Sequence, residues 1–200
     1  MGFENFCDSW VKIYRELNEK GANDTEKTRR FEELFFRCVL ISFVPEGCRI
    51  ERNKRIKGIE YEFDFLITRR DASQYYVRVG SRRAIAFSPN DVLAAVEVKS
   101  HGFFNHEKIE RFKYAFKSLE KNYPQIELYY ITIGEPDYYG KEARSSFGSD
   151  LRWHYRLSDR WDNVCQMSSA ICFHNEWDRL MVDLLKLKES KRPHTDRQNC

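Results

Sequence analysis

The run Val92-Leu93-Ala94-Ala95-Val96-Glu97-Val98-Lys99 constrains the fold more than any other stretch of the 200-residue chain. Its apolar residues, introduced by the turn signal Ser88-Pro89-Asn90-Asp91, predict a strand from the middle of a sheet. Side chains alternate along a strand, so Leu93, Ala95, Glu97 and Lys99 are expected on one face. A carboxylate and an ammonium near a sheet centre cost on the order of several kcal/mol unless something pairs with them. The blander reading is an edge strand whose Glu97 and Lys99 are solvated. A lone Glu-x-Lys does not decide between the two.

Composition narrows the class. Hydrophobic residues make up 42% and charged residues 32%, which suits one folded domain with a substantial core. A net charge of +3 means that any nucleic-acid contact must come from local patches. Nothing approaches 18 consecutive apolar residues, and the N-terminus has no basic stretch before an apolar run, so no membrane span or export signal is expected. The six cysteines (Cys7, Cys38, Cys48, Cys165, Cys172 and Cys200) form no close pair. Reduced thiols in a cytoplasmic setting are expected from them.

Taken in order, Phe6, Trp10, Ile13 and Leu17 recur at helical spacing and predict an opening helix that ends near Gly21. Asn23 and Glu26 stand three apart, as in a capping box. They start a second helix that runs to about Phe43, with Phe31, Leu34, Phe35, Cys38 and Ile41 as its core stripe. Residues 49–57 carry five positive charges around one glutamate, which fits a solvated loop, an edge strand or a ridge against phosphates. After Gly58, strict alternation predicts a strand with Tyr61, Phe63, Phe65 and Ile67 on one face and Glu60, Glu62, Asp64 and Leu66 on the other.

Two β-like runs, Tyr75 to Val79 and Ala84 to Phe87, suggest a hairpin inserted before the Val92 strand. A helix follows from about Asn105 to Lys121, then a strand over Ile126 to Ile133. Gly134 to Asp150 is loop chemistry. Short strands are expected at 152–157, 164–167 and 170–173, and a last helix from Glu176 to Lys188. The whole is an α/β domain over residues 1–188, a mixed sheet flanked by helices, with a polar tail at 189–200.

Asp64 and Glu97 together would offer oxygen ligands suited to Mg²⁺, which takes one or two carboxylates plus water and substrate phosphate. Lys99 would steady an attacking water or a phosphate oxygen. His101 and His106 fall near the same strand end, where a solvated or structural histidine is the ordinary case. Tyr129-Tyr130 and Trp153-His154-Tyr155 could stack on bases, but alternating aromatics in strands are usually core.

Asp64-Phe65-Leu66-Ile67 followed by Val96-Glu97-Val98-Lys99, with an acidic helix before and an amphipathic helix after, resembles the PD-(D/E)xK nuclease superfamily. The resemblance covers a core of about residues 22–133 and is similar to uncharacterised prokaryotic members often suspected of defence roles. It implies a restriction-endonuclease-like fold and Mg²⁺-dependent cleavage of DNA, with Mn²⁺ able to substitute. Phe63 stands where many members have proline, and the gap from Asp64 to Glu97 is longer than a tight hairpin, so Glu62 or Glu60 remains an alternative ligand.

Members often add a glutamate from the preceding helix. Distance from the helix end points to Glu33, with Glu32 and Glu26 as alternatives. Arg52, Lys54, Arg55 and Lys57, with Arg82 and Arg83, would meet the DNA backbone, and a homodimer would suit cleavage of both strands. A non-catalytic nucleic-acid-binding or scaffold protein of the same fold is the alternative, and a plain interaction domain with an internal Glu97–Lys99 ion pair is the third reading.

Overall fold

Seven strands form one mixed sheet in the computed structural model, which describes residues 2–99, 106–132, 154–157 and 174–187. The helices are α1 (Phe3–Glu19), α2 (Asp24–Phe35), the last turn α3 (Ile41–Phe43), α4 (His106–Asn122) and α5 (His174–Leu185). The strands are β1 (Cys48–Ile56), β2 (Glu62–Arg69), β3 (Gln74–Val79), β4 (Arg82–Phe87), β5 (Val92–Lys99), β6 (Glu127–Thr132) and β7 (His154–Arg156), arranged in the order β3-β4-β1-β2-β5-β6-β7. Both β1 and β5 are interior strands, so the edge-strand readings of residues 49–57 and of the Glu97 strand do not hold. The expected strands at 164–167 and 170–173, the loop at 134–150 and His101 lie outside the described residues.

Helices cover both faces. Phe6, Trp10, Phe31 and Phe35 pack with Trp177 of α5 over Phe65, Ile67, Val96 and Val98. On the opposite face α4 presents Phe112, Ala115, Phe116 and Leu119 to Phe63, Leu66, Ala95 and Tyr130. Fully burying a residue such as Phe112 or Phe65 contributes about 1.5–3 kcal/mol, and dozens of such side chains hold the layers together. Ala94 and Ala95 are fully buried, their small side chains fitting under helices on each face.

Asn23 caps α2, accepting the Glu26 N–H at 2.9 Å as the capping box requires. The helix then passes through a π-helical stretch, Phe36–Leu40, into α3. That wider turn shifts the buried stripe by one residue. Val39 and Leu40 are fully buried, Cys38 is half-buried, and Ile41, expected in the core, is 58% exposed.

Two irregularities break the expected face assignments around the acids. The β1–β2 ladder passes from Arg52↔Phe65 directly to Lys54↔Phe63, and Asn53 between them has φ +52°. Phe65 and Ile67 therefore enter the α1/α2 core while Phe63 enters the α4 core. In the β2–β5 ladder the register shifts between Ile67 and Thr68, which sends Leu93 to the α1/α2 core, away from Ala95. A bulge such as the one in β5 re-aims side chains, and here it lies in the Glu97 strand.

Candidate active site

Strands β2 and β5 pair antiparallel as far as Phe65↔Val96 and then part. Asp64 stands at the fork. Its Oδ2 accepts the Val98 backbone N–H at 2.8 Å and the Lys99 ammonium at 3.0 Å. Lys99 Nζ also lies 2.6 Å from Glu97 Oε1, so one ammonium bridges the two carboxylates. Tyr61, just before β2, donates its hydroxyl to the same Glu97 Oε1 at 2.8 Å. The structure thus brings Asp64, Glu97 and Lys99 together, 33 and 35 positions apart in the chain.

Glu97 is 2% exposed, and its second oxygen, Oε2, is buried with no hydrogen-bond partner among the described residues. Burial raises its pKa most, the Asp64 charge raises it further, and Lys99 and Tyr61 pull it back. For Lys99, burial acts to lower the pKa, but Asp64 and Glu97 more than offset this and hold it well above the usual lysine value. The ammonium is a fixed positive charge at the fork.

The helix acids divide. Glu33 turns away from the fork to accept from Arg37 and Arg52, and these bonds lower its pKa. Arg52 in turn lies over the rings of Phe36 and Phe65, at 5.2 and 5.6 Å. Glu32 faces the site electrostatically. Burial and then the Asp64 charge push its pKa up to about 7, against the pull of Lys99, Arg52 and Arg29. Phe36 stacks on Phe65 at 6.0 Å, which fastens this part of the helix over the residue next to Asp64. Glu26 is engaged through its backbone N–H with the Asn23 cap, and Glu62 lies 3.8 Å from Arg55.

The expected phosphate contacts spread over two strands. Arg52, Lys54 and Arg55 lie on β1, next to the Asp64 strand, and Lys57 follows it with its ammonium 5.2 Å above the Tyr75 ring. Arg82 and Arg83 are exposed at the start of β4, where Arg83 pairs with Arg78 of β3. Arg52 is engaged within the fold by Glu33 and two rings. Tyr129 and Tyr130 are both 2% exposed and belong to the two cores, as expected of alternating aromatics in a strand. Alternation puts Tyr61 on the face opposite Asp64, and no local motif marks it for the site. It reaches the site because the chain enters β2 beside the end of β5.

Among the described residues, no three His, Cys, Asp or Glu side chains gather closely enough to enclose a metal ion. Mg²⁺ asks for less: one or two carboxylates, with water and substrate phosphate completing the shell. Two acids at the fork, one with a buried oxygen that no proton donor satisfies, fit that requirement. Asp64 and Glu97 are the residues that would hold the ion.

The chain is thus an α/β domain whose mixed sheet is layered between helices, with Asp64, Glu97 and Lys99 gathered where β2 and β5 part. Among solved structures the chain is similar to NucC of E. coli MS115-1 in its cAAA-bound form, with a TM-score of 0.56 and 10% identity over 95% of this chain and 91% of that one. At this identity the likeness is one of fold. No family model matches the chain, and no curated protein matches it. No described helix is long and apolar enough to cross a membrane.

Proposed function

We propose that the chain is a metal-dependent nuclease that hydrolyses phosphodiester bonds of DNA, acting in the cytoplasm in defence against foreign DNA. The observation that carries this reading is the Lys99 ammonium bridging Asp64 and Glu97, beside a carboxylate oxygen left bare in a buried position. A purely structural ion pair would satisfy both oxygens, because an unpartnered buried acceptor costs about 1–3 kcal/mol. A bound Mg²⁺ would polarise the phosphate and acidify a water.

The chain's own residues supply the rest. Asp64 and Glu97 carry the negative charge that would hold the cation; the Val98 N–H fixes Asp64 against backbone, and Tyr61 and Lys99 fix Glu97. Lys99 brings a permanent positive charge to within hydrogen-bond reach of both, where it can stabilise the extra charge of a pentavalent phosphorane. Glu32, protonatable near neutrality and in the fields of Asp64 and Lys99, is the helix acid that would exchange a proton with water at the site. Lys54, Arg55, Lys57, Arg82 and Arg83 form the positive flank for the backbone. A homodimer would present two such sites to a duplex.

The test is cleavage of circular plasmid and single-stranded DNA with Mg²⁺, Mn²⁺ or EDTA, with and without cAAA, since the structural neighbour was solved with that ligand. Metal-dependent cutting that Lys99→Ala abolishes without unfolding supports the reading. Absence of cutting and of metal binding under every condition sinks it.

A further inference from the structure

Tyr61 hydrogen-bonds Glu97, and none of the roles in the proposed hydrolysis falls to it. Its hydroxyl donates to Glu97 Oε1 at 2.8 Å, the oxygen that Lys99 also contacts at 2.6 Å. Oε1 is thereby satisfied twice, while Oε2 of the same carboxylate is buried and has no partner among the described residues. A carboxylate tied through one oxygen cannot rotate about its last torsion, so the other oxygen keeps a fixed direction.

The tyrosine is itself held. Its ring meets Phe63 edge-on at 5.0 Å and Phe112 of α4 at 6.0 Å, and both of those residues are fully buried. The aromatic layer between β2 and α4 therefore sets where the phenol hydroxyl stands. We propose that Tyr61 is a positioning residue that clamps Glu97 through Oε1 and so presents Oε2 as a ready-made ligand oxygen for a divalent cation. This rests on the nuclease reading and assigns the clamp within it. Partners that orient a metal ligand typically contribute 10–100-fold to metal affinity.

The experiment is Mn²⁺ binding to the full chain by titration calorimetry, in parallel with cleavage rates against Mn²⁺ concentration, for wild type, Tyr61→Phe and Tyr61→Leu. Tyr61→Phe keeps the contacts with Phe63 and Phe112 and removes only the hydroxyl; Tyr61→Leu removes the ring as well. The expected result is Mn²⁺ binding weakened about 10-fold or more in both variants. Turnover of Tyr61→Phe at saturating Mn²⁺ should stay within a few-fold of wild type, and its metal-free melting temperature should not change. Wild-type affinity in Tyr61→Phe overturns the clamp, whether or not Tyr61→Leu is impaired, because the hydroxyl would then not be what orients Glu97. Wild type that neither binds Mn²⁺ nor cleaves overturns the nuclease reading itself, a different result from an unaffected Tyr61→Phe.

Discussion

Val98 donates its backbone N–H to Asp64 Oδ2 at 2.8 Å, just beyond Phe65↔Val96, the last pair of the β2–β5 ladder. A side chain has replaced backbone as the tie between the strands at the point where they separate. The same oxygen holds Lys99. Asp64 thus closes the fork and charges it at once, which makes its structural and chemical roles separable by substitution.

Asp64→Asn keeps an amide oxygen able to accept from Val98 but loses the negative charge. It should fold with a urea midpoint near wild type and lose Mn²⁺ binding and cleavage by at least about a hundredfold. Asp64→Ala also leaves the Val98 N–H without its acceptor and should cost about 1–3 kcal/mol of stability. Equal urea midpoints for the two variants would mean that the bond to Val98 does not hold the fork.

The two neighbouring helix acids make opposite predictions. Glu33 is spent on Arg37 and Arg52 at the surface, so Glu33→Gln should leave cleavage within about twofold and cost at most ~1 kcal/mol. Glu32 lies in the fields of Asp64 and Lys99, so Glu32→Gln should lower cleavage at least tenfold with no loss of fold. Cleavage rates of the two variants at saturating Mn²⁺, compared side by side, decide which acid serves the site. A silent Glu32→Gln with an inactive Glu33→Gln would reverse the assignment.

This division was half legible in the chain. A helical wheel puts Glu32 beside the stripe of Phe31 and Phe35 and Glu33 opposite it, whereas distance from the helix end, taken from the resemblance, favours Glu33. Distance along a helix fixes height; only the angle about its axis decides which acid faces the sheet. The elements around Glu97 and Lys99 were readable because periodicity reports burial directly. The faces of Phe63 and Leu93 were not, because an extra residue in β5 reverses alternation at Leu93, and the Asn53–Asp64 pair drops out of the β1–β2 ladder with no change of register; neither leaves a mark in composition. The π-helical turn misplaced Ile41 for the same reason. Nor does any spacing bring Tyr61 to Glu97, since that contact depends on how two strands part.

Asn53 offers a test of the irregularity that turns Phe63 and Phe65 to opposite cores. Its φ of +52° is costly for most side chains and tolerated by Asn and Gly. Asn53→Gly should leave the urea midpoint near wild type. Asn53→Val should lose about 1–2 kcal/mol, since a β-branched residue resists that backbone. Because Asn53 is exposed, burial cannot account for such a loss. If valine is tolerated as well as glycine, the strand does not need the left-handed residue opposite Asp64.

The raised pKa of Glu32 fixes the sign of a pH dependence. Burial, and then the charge of Asp64, lift it from 4.5 to about 7 in the folded protein. Between those values the folded chain keeps a proton that the unfolded chain has released. Unfolding then releases protons, and stability falls as pH rises through the window. The contribution is fully present below about pH 4.5 and lost as pH passes 7. Glu97 is shifted in the same direction, so both acids favour the site in its protonated form at low pH.

Urea midpoints measured in EDTA from about pH 5 to pH 8 should therefore fall for wild type relative to Glu32→Gln, which has no proton to lose at that position. A constant difference between the two across the range would contradict the shift. Metal ligands must be deprotonated to bind, so Mg²⁺ should raise the wild-type midpoint more at pH 8 than at pH 5.5. Stabilisation that is equal at both pH values would place the cation away from Asp64 and Glu97.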